Sequence, residues 1–216
     1  MKKFALVFCG CGFKDGTAIT EAVSTMIALG ASGANHSCFA LNKDFTSLNH
    51  LTDENLETRN TLTESARIAR GNIEDIKTLY ENDFDGLIFP GGFGVVKHMC
   101  EWLNKGSRGQ VEPEVKRVIL DFYEAEKPIG ALCIAPVLLA QVLGEHEITL
   151  TIGNDQETAR EIEKTGAVHE DCPVEDFVTD RAHRIVTTPA YMYSEATPYQ
   201  VSQGIHGLVR EMVEMA

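Results

Sequence analysis

The chain has 216 residues, enough for one well-filled core with no need for a second domain. Its 44% hydrophobic and 24% charged content is that of a globular protein in water. Thirty-two acids against nineteen bases leave a net charge of −13, and no cluster of Lys and Arg interrupts it, which argues against nucleic acid or an anionic membrane as partner. The first nine residues pair a basic start with an apolar run, but the run is too short for a signal sequence and ends in Gly10, Gly12 and Lys14. The almost wholly apolar stretch from Pro128 to Leu143 also falls short of a membrane span. Six scattered cysteines (9, 11, 38, 100, 133 and 172) read as reduced thiols. A cytoplasmic protein, or one of an organelle matrix, is expected.

In chain order, Lys3–Phe8 reads as a buried strand that stops at glycines. Thr17–Leu29 follows as a helix, with Ile19, Ala22, Val23, Met26 and Ile27 at helical spacing. Ser37–Leu41 is a second strand, and a polar insertion from about Asn42 carries helical pieces at Leu62–Arg70 and Ile73–Tyr80. Gly86–Phe89 is a strand that runs into Pro90-Gly-Gly-Phe-Gly94, followed by helices at Val95–Leu103 and Pro113–Ala125. The strand before Cys133 and its helix to Leu143 come next. Ile148–Ile152 is expected as a strand, Glu157–Thr165 as a helix, and Val168, Phe177-Val178 and Ile185–Thr188 as strand pieces. A closing helix spans Glu195–Met215. Strands alternating with helices predict one domain over residues 1–216, an α/β three-layer sandwich with a mostly parallel central sheet. Ligands of such sheets gather beyond the carboxyl ends of the strands, where Gly10–Gly16, Pro90–Gly94 and Cys133 all fall.

Cys133 lies in Pro128-Ile-Gly-Ala-Leu-Cys-Ile-Ala-Pro136, a strand turning sharply into a helix, with Ala131 and Ala135 small enough to permit the corner. The N–H groups at the start of that helix are expected to face the sulfur and favour the thiolate, the reactive form. The alternative is a buried structural thiol. Gly92, in the glycine run after the middle strand, is placed to aim its amide inward, where with the amide of Ile134 it forms an oxyanion hole. Otherwise the run is a plain turn. Glu21, on a helix that otherwise packs apolar residues, reads either as a solvent-facing acid or as a carboxyl that shares a proton with the thiol. Beside the sulfur and away from water, its pKa is expected to rise. His169 begins a strand piece at the same sheet end and is a third catalytic candidate, against a satisfied core or surface histidine. Gly10-Cys-Gly12-Phe-Lys-Asp-Gly16 approaches a dinucleotide fingerprint, but its third glycine is one position late. Cys9 and Cys11 have no His/Cys partners at metal-finger spacing, so no metal is assigned.

Glu21, the Gly-Gly pair and the Cys133 elbow together resemble the PfpI-type superfamily with the class I glutamine amidotransferase-like, flavodoxin-like fold. Within it, the chain is similar to the ElbB branch, the isoprenoid-biosynthesis glyoxalases. That similarity runs through Cys9–Gly16, Glu57-Thr-Arg-Asn60, Phe89–Gly94, Cys133-Ile-Ala-Pro136, Leu150-Thr-Ile-Gly153 and Ile185–Tyr191. The resemblance implies a homodimer and a cofactor-free glyoxalase acting on a small aldehyde, glyoxal or methylglyoxal, with Cys133 as nucleophile and Glu21 as acid and base. Ile134 stands where protease-like members carry histidine, which speaks against peptidase activity, and Thr187–Tyr191 holds no glutaminase His-x-Glu pair. Two rivals remain: a redox-sensing or binding protein that uses the same cysteine, and a non-glutaminase accessory protein of isoprenoid metabolism.

Overall fold

The computed structural model describes residues 1–216. Its strands are β1 (Lys3–Phe8), β2 (Asn35–Ala40), β3 (Asp44–Leu48), β4 (Asn55–Asn60), β5 (Ile73–Asp75), β6 (Gly86–Phe89), β7 (Ile129–Leu132), β8 (Thr149–Leu150), β9 (Val168–His169), β10 (Val178–Asp180) and β11 (Ile185–Thr188). Its helices are α1 (Ile19–Ala31), α2 (Thr61–Ile68), α3 (Trp102–Lys105), α4 (Pro113–Glu124), α5 (Pro136–Leu143), α6 (Gln156–Glu163) and α7 (Pro198–Met215). Seven strands form the central sheet in the order β10-β11-β7-β6-β1-β2-β5. All pairings are parallel except β10 with β11 at the edge.

A strand of a sheet covered on both faces needs no polar positions, and β1 has none after Lys3. Phe4, Leu6 and Phe8 point to one core with Ala22, Leu29, Val201, Leu208 and Met212 of α1 and α7. Ala5, Val7 and Cys9 point to the other, with Val115, Ile119, Phe122, Leu138 and Leu139 of α4 and α5. Helices therefore sandwich the sheet, and the α/β three-layer expectation holds. The close fit is visible at Gly130 of β7, where a Cβ would lie 2.4 Å from the Met212 sulfur.

Helix starts follow their caps. Asn60 accepts from the amides of Leu62 and Thr63 at the head of α2, and Asp155 caps α6. Thr197 and Gln200 form a capping box with Pro198 at the first position of α7, so that helix starts after Glu195.

Three expected elements differ. Ile73–Tyr80 is not a helix: Ile73–Asp75 pairs with β2, and a 3-10 turn follows at Ile76–Thr78, capped by Asp75. The polar insertion holds an antiparallel hairpin, β3 with β4, that the expectation omitted. Val95–Leu103 is not one helix but a π-helical turn at Val95–Met99, broken at extended Cys100, before the short α3. The strand expected at Ile148–Ile152 is reduced to β8, which pairs with β9 outside the main sheet.

Candidate active site

β7 runs into a corner at Cys133, whose φ of +58° is left-handed. That conformation costs an ordinary residue about 1 kcal/mol or more, so the surroundings must hold it. They do so with two backbone hydrogen bonds. Cys133 N–H donates to the Thr188 carbonyl of β11 (3.0 Å), and Ala135 N–H closes the turn on the Leu132 carbonyl (2.9 Å). Ala131 and Ala135 are fully buried, so the corner has no room for larger neighbours.

The two glycine loops lock against each other beside this corner. Phe93 N–H donates to Phe13 O (2.7 Å) and Gly94 N–H to Gly16 O (3.0 Å). A Cβ on Gly94 would come within 2.4 Å of Cys9 O, and one on Gly16 within 2.4 Å of the Cys11 nitrogen. Four amides of the first loop are spent inside the protein: Gly10 on Ser65 Oγ, Gly12 on Thr17 O, Lys14 on His50 Nε2 and Gly16 on Gly12 O. The loop is thus largely a packing element, with few N–H groups left for a phosphate.

Glu21 sits in the first turn of α1 and is fully buried. Its Oε2 accepts the Gly91 N–H at 2.8 Å, while the Gly91 carbonyl accepts from Ala18 N–H at 3.0 Å, tying the helix start to the glycine run. The Cys133 thiol and the Tyr191 N–H also face the carboxyl, and Oε1 has no partner of full hydrogen-bond geometry. Burial pushes the Glu21 carboxyl up to about 7, against the lowering influence of Gly91, Cys133 and Tyr191. Gly91 is what allows the approach, since a Cβ there would lie 2.5 Å from the Cys133 Cβ and 2.8 Å from Glu21 Oε2.

Two amides, of Gly92 and Ile134, face the Cys133 sulfur. Gly92 reaches this position with a φ of +101°, and a Cβ there would lie 2.4 Å from Gly16 O. The expectation of a resting thiolate is nevertheless corrected. Burial first, then the neighbouring Glu21 charge, hold the thiol well above its ordinary value, and the two N–H donors do not offset them. Both effects favour the protonated thiol, and the Glu21 carboxyl is the titratable group that faces it.

The structure therefore brings Cys133, Glu21, Gly92 and Ile134 together. His169 stands apart on β9: its Nε2 accepts the Ile152 N–H (3.3 Å) and its Nδ1 lies 3.8 Å from Asp171. Burial holds the ring below its ordinary value, and the charges that act on it are Asp171, Glu163, Asp155 and Glu170, with neither Cys133 nor Glu21 among them. The ring is thus held on β9 by the Ile152 amide, with no hydrogen bond to Cys133 or Glu21. Two participants went unassigned from sequence. Gly91 was visible as half of the Gly-Gly pair. The Tyr191 amide, in a turn after left-handed Ala190 (φ +45°), was marked only by Pro189 ending the strand run.

No family model matches the chain. It is 40% identical over 228 aligned residues to the human "Glutamine amidotransferase-like class 1 domain-containing protein 3, mitochondrial", covering 99% of this chain and 83% of that protein. Identity to the rat "ES1 protein homolog, mitochondrial" is 38%, with 99% and 84% covered. Among solved structures, an isoprenoid biosynthesis protein with an amidotransferase-like domain from Ehrlichia chaffeensis superposes with a TM-score of 0.93 at 38% identity, covering 100% of this chain and 99% of the other. Drosophila melanogaster DJ-1beta shares the fold at a TM-score of 0.56 and 16% identity, with 100% and 96% covered. The chain belongs to the ES1 and glutamine amidotransferase-like class 1 domain family, with the fold that PfpI- and DJ-1-like proteins share.

Proposed function

We propose that the protein is a cofactor-free glyoxalase that converts a small 2-oxoaldehyde to its hydroxy acid. The observation that carries this reading is the buried Glu21 carboxyl facing the Cys133 thiol, with the Gly92 and Ile134 amides turned to the sulfur. The Cys133 sulfur adds to the aldehyde carbon of methylglyoxal, and Glu21 relays the thiol proton to the new alkoxide, giving a hemithioacetal. During addition the oxyanion, two bonds from the sulfur through C1, takes the two amides. Glu21 then removes the C1 proton to form an enediol and returns it to C2, leaving a 2-hydroxyacyl thioester on Cys133. Water hydrolyses the thioester to lactate and restores the thiol. Carbon 1 is oxidised and carbon 2 reduced within one molecule, so the balance needs no external oxidant, metal or thiol cofactor.

A redox-sensing role fits less well, because a thiol kept protonated and only 8% exposed is a poor target for peroxide. We further propose that two copies pair through the outer face of α1. Ile19, Val23 and Ile27 are 49%, 38% and 58% exposed at successive four-residue steps, on a helix whose sole charged residue is the buried Glu21. On a chain of net charge −13, an uncharged face lets identical surfaces meet without repulsion. No helix is long and apolar enough to cross a membrane. The six free thiols suit a reducing compartment, the cytoplasm or the mitochondrion named for the mammalian relatives.

The test is lactate formation from methylglyoxal without glutathione. Wild type should turn over, and Cys133→Ser and Glu21→Ala should each abolish product. Activity surviving in either variant, or no wild-type rate above buffer, ends the proposal.

A further inference from the structure

Two motifs that the reaction leaves unused, Cys9–Gly16 and Glu57–Asn60, meet at a cavity that neither Cys133 nor Glu21 lines. Between the first glycine loop and the β3–β4 hairpin lies a cavity of about 340 Å³, lined by Cys11, Asp15, Phe45, His50, Arg59 and Glu64 among others. That volume is near the lower end for a small-molecule site.

The two acids in its lining are each more than nine-tenths buried in their side chains, at 7% and 9% exposure, and each has an oxygen left over. Asp15 Oδ2 accepts the Leu48 N–H at 2.7 Å, but Oδ1 accepts nothing. It lies 3.7 Å from His50 Nε2. That nitrogen already accepts the Lys14 N–H at 3.3 Å, while Nδ1 faces the Leu48 carbonyl at 3.2 Å. The tautomer that satisfies both contacts carries its proton on Nδ1 and has none to give Asp15. Lys14 is likewise engaged, its Nζ held by Asp53 at 2.5 Å. Glu64 meets Arg59 (3.4 Å) and Arg67 (3.0 Å) through Oε2 alone, which leaves Oε1 open.

The charges decide what fits. Arg59 and Arg67 answer Glu64 and Glu57, so Asp15 has no Lys or Arg at ion-pair distance and only the His50 ring near its Oδ1. Two acceptor oxygens and one unanswered negative charge ask for a cationic N–H donor, whose charge-assisted bonds are about twice as strong as those of a neutral hydroxyl. No three His, Cys, Asp or Glu side chains converge as a metal ion requires. We propose that this cavity binds a small primary amine, its ammonium taken by Asp15 Oδ1 and Glu64 Oε1 and its carbon chain lying against Phe45, Leu48 and Leu56. The site stands independently of the chemistry at Cys133. An occupant would brace the loop on which Gly92 rests, through Gly16.

Ethanolamine is the probe, with ethylene glycol as the control that replaces ammonium by hydroxyl. Titrated into 15N-labelled full-length protein, ethanolamine should shift the amides of Cys11, Asp15 and Leu48 saturably below about 100 mM, and the glycol should not. Asp15→Asn, which keeps an acceptor for Leu48, should weaken binding about tenfold or more, and Glu64→Gln should weaken it independently. Cys133→Ser should bind as wild type does, which separates this site from the proposed reaction. No saturable shift, equal binding of the glycol, or unchanged affinity in both acid variants overturns the assignment.

Discussion

Replacing Glu21 by glutamine reads the buried pair as a stability measurement, whatever the substrate. The carboxyl titrates at about 7 in the folded protein against an ordinary value of 4.5. Between those values the folded chain holds a proton that the unfolded chain has released. The group's contribution to stability is therefore full at low pH and is lost as pH rises through this window. Above pH 7 the cost of the buried carboxylate amounts to about 3 kcal/mol. Cys133 does not titrate over this range, because its thiol is held well above its ordinary value. Groups that do not feel the Glu21 charge cancel in the difference. Urea unfolding of wild type and Glu21→Gln from pH 4 to pH 9 should give a stability difference that moves in the variant's favour by about 3 kcal/mol as pH rises. Any constant offset from the amide's own hydrogen bonding leaves that slope untouched. A difference flat to within about 0.5 kcal/mol would refute the buried, elevated carboxyl and with it the base in the mechanism.

Gly91→Ala places a methyl 2.5 Å from the Cys133 Cβ. It should cost about 1–3 kcal/mol of stability and at least about a hundredfold in methylglyoxal turnover, measured by chemical unfolding and lactate release. Iodoacetamide should modify Cys133 of the wild type more slowly at pH 8 than an unhindered thiol. Glu21→Gln should accelerate that modification, since the charge that helps keep the sulfur protonated is gone; mass spectrometry of the labelled peptide decides. His169→Ala should leave turnover within about threefold while lowering stability by about 1–3 kcal/mol, because the Ile152 amide loses its acceptor. A hundredfold loss of rate would restore the histidine to the site.

The parts of the fold legible in the sequence are those where one local signal suffices. β1, β6, β7 and β11 are short apolar runs bounded by turn residues, and the small residues around Cys133 announced a corner. Ile73–Tyr80 misled because Ile73, Ile76 and Leu79 recur every three residues, as on a helix face, whereas pairing of Ile73 with Cys38 across the sheet prevails. The β3–β4 hairpin was hidden because its alternation is mostly polar, with Phe45 and Ser47 its only buried positions. Glu21 and Cys133 were found by position. The protonation of the sulfur was not, because it depends on burial contributed by segments far apart in the chain, and on a carboxyl 112 residues upstream whose charge opposes the thiolate. Local dipole reasoning counted the two helpful amides and missed both larger opposing effects.

The interlocked glycines also constrain how this protein can be altered. Gly16 and Gly94 meet so closely that neither accepts even a methyl group, and each loop serves as the mould for the other. Grafting one loop from a distant homologue would therefore fail unless the facing loop came with it. Side chains on these loops, such as half-exposed Phe13 and Phe93, can change without disturbing the backbone seam beneath.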